Sequence, residues 1–453
     1  MDNNAPAVAR TAFAAAARVA AAALVALGMC HQGAAAKADT DDEIIVQLRE
    51  RAEIAPLLVK HQLSLIGRFG QRPIYRLKII GQASVKQKVE ALRREWEVRS
   101  VEPNATFKVL EPGKNVPWAI GDPAATSAAQ WAAQSIRLPE AHRITTGRGV
   151  RIAVLDTGVD RRHPALAGRL LPGFDFVDWD PDPSEEADPL SRTYGHGTHV
   201  AGLVAMVAPG ARILPLRVLD AQGYGNVWVL AEAMLHAVDP DGDPATDDGA
   251  HVINLSLTSQ ARTELFKTVV KLVSCKKGSL GGGAKEPDDE DDDGSGDEGI
   301  TLGDKARCSG FGGAVVVAAA GNLGTDKIQE YPAAEASSSL LSVAASDREG
   351  WLAPFSNYGW VKLAAPGAEI TSSVPGGGYG TWSGTSMAAP LVAGAAALVR
   401  SLERGLPADK VAKRLRERGA KLCGTPMRQL DVLAALDDGV ARRDKAGCDK
   451  RSD

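Results

Sequence analysis

The chain has 453 residues, enough for two or three domains with a large buried core. Hydrophobic residues make up 44% of the chain and charged residues 24%, which excludes a wholly disordered or fibrous protein. The net charge is −4, and residues 286–298 alone hold nine acids and no base, which leaves +5 on the rest. This balance predicts no nucleic-acid partner.

The first 38 residues have the pattern of an export signal. Arg10 and Arg18 precede an apolar run at 19–27, and small residues follow at 34–38. The run is shorter than the roughly 20 apolar residues of a spanning helix, so we expect no stable membrane span. A removed signal predicts a secreted or periplasmic protein. Lipidation at Cys30 is the alternative.

The cysteines form no CxxC pair, which argues against a structural zinc site. There are five of them: Cys30, Cys275, Cys308, Cys423 and Cys448. Removal of the first with the signal leaves an even number, which suits an oxidising compartment. We expect the local pairings Cys275–Cys308 and Cys423–Cys448, with buried free thiols as the alternative.

Residues 43–110 predict a small α+β, ferredoxin-like module in the order β-α-β-β-α-β. The strands are expected at 44–48, 65–69, 74–79 and 98–101, and the helices at 52–63 and 85–96. On the second helix, the spacing predicts one buried face formed by Val85, Val89, Leu92 and Trp96.

Residues 111–149 are rich in Pro, Gly, Ala and Ser and predict a linker and N-terminal arm. Near-continuous apolar strands separated by helices then predict an α/β domain over 150–436, with a parallel sheet covered on both faces. Strands are expected at 151–155, 213–219, 252–257, 314–320 and 340–345, and helices at 227–238, 387–400, 407–418 and 429–436. The acidic stretch 278–299 predicts a disordered insertion, and 437–453 a charged tail.

Three positions in the α/β domain place a carboxylate, an imidazole and a hydroxyl at the ends of apolar elements. Asp156 ends an apolar strand, His196 opens a helix of small residues, and Ser386 begins an apolar helix. Alone, each has an ordinary interpretation: a turn former, a core histidine and a helix N-cap. Together they supply a nucleophile, a base for its proton and a carboxylate that orients the base. His199 is interpreted as a hydrogen-bonded core residue, because the HExxH spacing of a zinc protease is absent.

Five motifs in this order resemble those of the subtilisin-like serine proteases, or subtilases. They are VLDTGVD (154–160), YGHGTHVAG (194–202), VINLSL (252–257), VVVAAAGN (315–322) and GTSMAAP (384–390). The resemblance implies a three-layer α/β fold with a parallel central sheet. It also implies that Asp156 orients the imidazole, that His196 is the general base and acid, that Ser386 is the nucleophile, and that Asn322 stabilises the oxyanion.

By the same resemblance, Ser256, Leu257 and Thr258 form one edge of the substrate groove, and Ala319, Ala320 and Gly321 form a wall of the main specificity pocket. The family often has Gly at the position of Thr258, which leaves the pocket preference open. The N-terminal module is similar to an inhibitor-type propeptide. It would act as an intramolecular inhibitor, with self-cleavage within 104–118.

The resemblance implies that the reaction requires no cofactor. Asp239, Asp241 and Asp243, with Asp247 and Asp248, surround Gly242 and offer the closely spaced oxygens of a structural calcium site. The alternative is a solvated acidic turn. The leading hypothesis is an exported serine endopeptidase, made as a zymogen, that acts on polypeptides. The alternatives are a transpeptidase that uses the same acyl-enzyme and a catalytically silent peptide-binding protein.

Overall fold

A computed structural model describes residues 40–109, 113–119, 130–186, 191–243, 246–275, 312–441 and 443, with the backbone alone for 113–119. The predicted export signal, the acidic insertion and the tail from residue 444 lie outside the described residues. The prediction of a disordered insertion therefore stays a prediction.

The N-terminal module is a four-stranded antiparallel sheet with two helices, in the predicted order. Its elements are β1 (Glu43–Leu48), α1 (Ile54–Lys60), β2 (Leu63–Arg68), β3 (Ile74–Ile79), α2 (Val85–Leu92) and β4 (Val98–Pro103). The strands lie side by side as β2-β3-β1-β4. Along β1, Ile44, Val46 and Leu48 pack into the core of this module, and Ile45, which points to the other face, packs against the rest of the protein.

Helix α2 begins with a reciprocal cap and ends sooner than predicted. The Ser84 hydroxyl accepts a hydrogen bond from the Gln87 amide, and the Gln87 side chain accepts one from the Ser84 amide. The helix ends at Leu92, and Trp96 is 71% exposed, so its predicted place on the buried face is wrong. The physical reason is that Arg49 donates hydrogen bonds to the Trp96 and Glu97 carbonyls, which holds this stretch in the connection to β4.

The C-terminal module contains the remaining α-helices and β-strands of the described residues. In chain order they are β5 (Thr106–Lys108), β6 (Gly113–Ala119), α3 (Trp131–Ser135), α4 (Leu138–Ala141), β7 (Arg151–Asp156), β8 (Phe174–Asp175), α5 (His196–Val207), β9 (Arg212–Arg217), β10 (Tyr224–Asn226), α6 (Val227–Val238), β11 (Val252–Leu255), α7 (Glu264–Ser274), β12 (Val315–Ala319), β13 (Leu340–Ser346), β14 (Leu363–Pro366), β15 (Ile370–Val374), β16 (Gly378–Ser383), α8 (Thr385–Leu402), α9 (Ala408–Arg418), β17 (Ala420–Lys421), β18 (Arg428–Gln429) and α10 (Val432–Leu436).

The central sheet has nine strands in the order β17-β18-β14-β13-β12-β11-β7-β9-β8, and all neighbours except β17 and β18 are parallel. Helices α5 and α8 cover one face, and α6 and α7 cover the other. Strand β7 contributes to both layers, because Ile152 and Val154 pack on the first face and Ala153 and Leu155 on the second. The α/β prediction of a parallel sheet covered on both sides is thus confirmed.

Helix α8 runs through the core. Among the described residues it is long and apolar enough to cross a bilayer by length and composition, and 89% of its 18-residue window is buried inside the protein. Inside a folded core, an apolar helix of this length needs no membrane to cover it.

Two stretches have structure that the sequence did not specify. In residues 111–149, predicted as a linker and N-terminal arm, β6 pairs with β16 in a small antiparallel sheet, and the segment from α3 to α4 buries Ala132, Ile136 and Leu138 in the core. The predicted helix 429–436 starts only at Val432, because Gln429 belongs to β18 and the Asp431 side chain caps the helix at the Ala434 amide.

Candidate active site

Asp156 lies at the carboxyl end of β7, where open parallel sheets place their sites. The side chain is buried, and its Oδ1 accepts hydrogen bonds from the Thr157 amide at 2.8 Å and from Nδ1 of His196 at 2.7 Å. A buried carboxylate held in this way fixes a proton on Nδ1 of the imidazole, which leaves Nε2 as the basic nitrogen.

His196 is the first residue of α5, and glycines on both sides allow its position. Gly195 has a φ of 82°, which favours glycine. At Gly197, a Cβ atom would lie 2.1 Å from the Gly158 carbonyl oxygen and 3.1 Å from Oδ1 of Asp156. The Gly-His-Gly sequence therefore lets the helix approach the end of β7 closely enough for the Asp156–His196 hydrogen bond.

His199, three residues further along α5, is a structural residue as expected. It is fully buried, its Nε2 contacts the Gly380 carbonyl oxygen at 3.1 Å, and its ring stacks on Trp382 with 4.5 Å between centroids. The same indole also stacks on His196 at 6.2 Å. Trp382 thus places the strand that leads to α8 beside the His196 imidazole.

Ser386 is the second residue of α8 and is buried. Its Oγ donates a hydrogen bond to the Ser256 carbonyl at 3.4 Å, and the Ser256 hydroxyl donates one to the Ser386 carbonyl at 3.0 Å. Pro390, four residues on, has no N–H to bond that carbonyl, so Ser256 takes the place of the missing helical partner. The serine side chain lies at the helix N-terminus, where backbone N–H groups favour negative charge.

Asn322 follows β12 and contacts the residue before Ser386. Its Oδ1 accepts hydrogen bonds from the Thr385 amide and hydroxyl, both at 2.9 Å, and the Thr385 hydroxyl accepts one from the Gly321 amide at 3.0 Å. The side-chain oxygen thus accepts from Thr385, and the NH₂ group is the donating part of the Asn322 side chain.

A strand of the chain itself lies between two edges of the C-terminal module. Strand β5 pairs antiparallel with β10 on one side. On its other side, Lys108 forms an antiparallel bridge with Thr258 through two backbone hydrogen bonds of 2.9 and 3.0 Å. Between these edges, Phe107 is buried with its ring 6.3 Å from that of Phe266. The arrangement is the addition of an extended peptide to a groove edge.

Ala319, Ala320 and Gly321 lie at the end of β12, where Ala320 and Gly321 meet two side chains that the sequence did not indicate. Nδ2 of Asn357 donates hydrogen bonds to the Ala320 carbonyl and to Oε2 of Glu330, both at 2.9 Å. Burial raises the pKa of Glu330, and the hydrogen bond from Asn357 opposes that shift. No motif or spacing points to Glu330 or Asn357, because both act through contacts distant in sequence.

The N-terminal module contacts the C-terminal one through helix ends and aromatic rings. The Glu102 carboxylate accepts hydrogen bonds from the Glu264 and Leu265 amides at 2.6 and 3.0 Å, which caps α7. Asn104 accepts one from the Trp228 amide at the start of α6 at 3.1 Å, and Phe69 packs edge-on against the Trp228 ring. Two helices of the C-terminal module, whose own N-caps are Asn226 and Thr263, therefore receive further N-terminal hydrogen bonds from Glu102 and Asn104 at the end of the N-terminal module.

The acidic turn after α6 brings together Asp239, Asp241 and Asp248, with one carboxylate oxygen of each within 4.8 Å of the others. We call these three residues the Asp239 cluster. Asp243, which was expected in the set, is not among the three carboxylates that converge, and its backbone amide donates a hydrogen bond to Oδ1 of Asp241. The donor set is all oxygen, as calcium prefers.

Comparison with known proteins gives the same two modules. The profile of the subtilase family matches residues 147–442, and that of the fervidolysin N-terminal prodomain matches residues 32–104. The chain is 32% identical over 397 residues to a thermophilic serine proteinase of Bacillus sp. strain AK1, covering 84% of this chain and 83% of that one. It is 36% identical over 310 residues to thermitase of Thermoactinomyces vulgaris, covering 66% and 91%.

Among solved structures, the fold is similar to that of fervidolysin from Fervidobacterium pennivorans, a keratinolytic enzyme related to subtilisin. The TM-score is 0.65 at 23% identity. The match covers 87% of this chain and 61% of that one, so this chain spans about three fifths of the fervidolysin chain.

Proposed function

Because the chain belongs to the subtilase family of serine proteases and carries a prodomain, we propose that it is an exported endopeptidase made as a zymogen. Membership makes it a peptide hydrolase. The observation that carries the mechanism is the buried Asp156–His196 hydrogen bond of 2.7 Å beside the N-terminus of α8, where Ser386 is the second residue. The N-terminal segment with the pattern of an export signal supports a secreted or periplasmic location.

In this mechanism, Nε2 of His196 takes the proton from Oγ of Ser386 as that oxygen attacks the peptide carbonyl carbon. The negative charge that develops on the carbonyl oxygen is stabilised by the Ser386 amide at the helix N-terminus and by Nδ2 of Asn322. His196 then donates the proton to the leaving amine, the peptide C–N bond breaks, and an acyl-enzyme remains. Water then attacks the acyl carbon while His196 takes a proton from that water, and His196 returns the proton to Oγ of Ser386 as the acyl–enzyme bond breaks. Asp156 stabilises the imidazolium throughout.

We propose that substrates bind as β5 does, as an extended strand between β10 and the edge Ser256–Thr258. Ala319, Ala320 and Gly321 then line the pocket for the residue that is cut. The prodomain supports this assignment, because its own tail already lies between these edges through Lys108 and Thr258. A bound tail excludes substrate, which makes the prodomain an intramolecular inhibitor.

We also infer from the register of this tail where the precursor is cut. In an antiparallel pair, a step of two residues along one strand corresponds to a step of two back along the other. Lys108 pairs with Thr258. Two residues before Thr258, the Ser256 carbonyl accepts a hydrogen bond from the Ser386 hydroxyl. We therefore propose cleavage between residues 110 and 111, which lie outside the described residues. The mature chain would begin at Glu111.

Two structural features stay predictions. The pairings Cys275–Cys308 and Cys423–Cys448 each include a partner outside the described residues, Cys308 or Cys448. Mass spectrometry of a non-reduced digest tests them by the two linked peptides. A structural calcium ion at the Asp239 cluster is supported by three converging carboxylates.

The proposed function is tested by a pair of serine variants. Ser386→Ala should remain an uncut precursor without peptidase activity, whereas the wild type should yield a mature chain with a new N-terminus. Ser401→Ala, near the other end of α8, is the matched control and should mature normally. Maturation or peptide hydrolysis by purified Ser386→Ala would refute the assignment of the nucleophile.

A further inference from the structure

A carboxylate outside the predicted triad joins the two segments that carry its acid and its base. Glu185 lies on the loop before α5, and its Oε1 accepts a hydrogen bond from the Thr157 hydroxyl at 2.5 Å. Its Oε2 accepts one from the Thr198 hydroxyl at 2.9 Å and contacts the Thr198 amide at 3.4 Å. Thr157 directly follows Asp156, and Thr198 is two residues after His196.

The hydroxyls of the two threonines also accept hydrogen bonds from the backbone of the site. The Thr157 hydroxyl accepts a hydrogen bond from the Gly197 amide at 3.0 Å, and the Thr157 amide donates to Oδ1 of Asp156. The Thr198 hydroxyl accepts one from the Asp160 amide at 2.8 Å. Each hydroxyl therefore accepts from the backbone and donates to the carboxylate, so Glu185 fixes the direction of both hydroxyl protons.

The same carboxylate contributes charge to the site. Burial raises the pKa of Glu185 to about 7, the charge of Asp156 raises it as well, and the Thr157 hydroxyl opposes the shift. The titratable groups that face Glu185 are Asp156, His196 and Tyr194, and the charge of Glu185 helps to raise the pKa of Tyr194. An ionised Glu185 favours a positive charge on the nearby imidazole.

We propose that Glu185 is a positioning residue of this protease, which holds the turn after Asp156 against the first turn of α5 and whose charge sets the pH range of activity. The inference rests on the proposed function, since it assigns His196 as the base. Glu185 touches neither Ser386 nor the reacting atoms. It acts through Thr157 and Thr198 on the geometry and proton affinity of the Asp156–His196 pair.

Three variants separate the two parts of this role. Glu185→Ala removes the contacts and the charge, and Glu185→Gln keeps the length and one accepting oxygen but removes the charge. Glu186→Gln is the matched control, because this neighbouring acid is exposed and pairs with Arg217 at 2.8 Å. Peptide hydrolysis is measured from pH 5 to 10 with the active enzyme counted by fluorophosphonate titration, so that kcat refers to folded protein.

We expect Glu185→Ala to lower kcat about tenfold or more with little change in KM, because the base is misplaced relative to the nucleophile. Glu185→Gln should recover most of kcat but move the acid limb of kcat/KM to lower pH by about half a unit to one unit, because the imidazolium loses a nearby negative charge. Glu186→Gln should do neither. A purely structural role would lower the melting temperature without moving the pH profile.

A second measurement does not depend on turnover. The proton shared by Asp156 and His196 should give a low-field ¹H NMR signal that moves when the imidazole is protonated, and the midpoint of that titration can be followed in each purified variant. A midpoint in Glu185→Gln equal to that of the wild type overturns the inference, as does wild-type kcat in Glu185→Ala. A shifted midpoint in a protein that hydrolyses no peptide supports the role of Glu185 while refuting the proposed function.

Discussion

The cap that Glu102 places on α7 should be a measurable part of prodomain docking. The change to test is Glu102→Ala in the Ser386→Ala precursor, which is expected to stay uncut. Glu102 accepts two backbone hydrogen bonds, at 2.6 and 3.0 Å, from the first two residues of α7. Bonds to a charged acceptor contribute about 1.5 kcal/mol or more each, and loss of an N-cap costs about 0.5–2 kcal/mol. We therefore expect a loss of about 2 kcal/mol at this contact.

The hydrogen-exchange rates of the Glu264 and Leu265 amides measure the strength of this contact directly. A loss of about 2 kcal/mol corresponds to exchange faster by about thirtyfold, at 1.4 kcal/mol per factor of ten. Burial raises the pKa of Glu102 to about 7, against the opposing hydrogen bonds from Leu265 and Glu264, so the measurement belongs at pH 8, where the carboxylate form dominates. Glu90→Ala, on an exposed position of α2, is the control. An exchange rate at these two amides within about threefold of that in the parent precursor would contradict the role of Glu102 as a cap of α7.

Three further predictions follow from the site and the prodomain contact. Asn322→Ala should lower kcat about 10²–10³-fold with little effect on KM, a magnitude established on a subtilisin, and steady-state kinetics of titrated enzyme measures it. Burial raises the pKa of Glu232 on α6 from its ordinary value of 4.5 to about 7, and the charge of Arg76 in the prodomain opposes this rise. Because the docked state favours the protonated carboxyl, prodomain docking should be tightest below pH 4.5 and should weaken as the pH rises through 7. Activity freed after self-cleavage should rise over that range, and less steeply in Glu232→Gln. If the Asp239 cluster binds calcium, EDTA should lower the melting temperature by several degrees in the wild type but not in Asp241→Asn, and an unchanged wild-type value would contradict the site.

Much of the fold was predictable because its signals are local. The continuous apolar strand at 151–155 and the apolar helix at 227–238 correspond closely to β7 and α6. Asp156, His196 and Ser386 could each be selected as candidates from the residues beside them, since the glycines and small side chains that allow close packing are neighbours in sequence. The bond between Asp156 and His196 confirms the contact that these motifs imply.

The features that the sequence did not predict depend on partners far along the chain. Strand β6 lies in a stretch whose composition is typical of a linker, and it becomes a strand because β16 supplies its ladder. Glu185 has no motif, and its role arises from two threonines in separate segments. The exposure of Trp96 was missed because helical spacing does not show where a helix must end to let the next strand pair.

Covalent capture of the nucleophile tests the proposed catalytic mechanism most directly. The mature wild type is treated with a fluorophosphonate at neutral pH, and the adduct is located by peptide mass spectrometry. We predict one adduct, on Ser386, and its loss in His196→Ala, because the hydroxyl reacts only when the imidazole takes its proton. An unmodified Ser386 in folded wild type, or equal labelling in His196→Ala, would contradict the proposed catalytic mechanism.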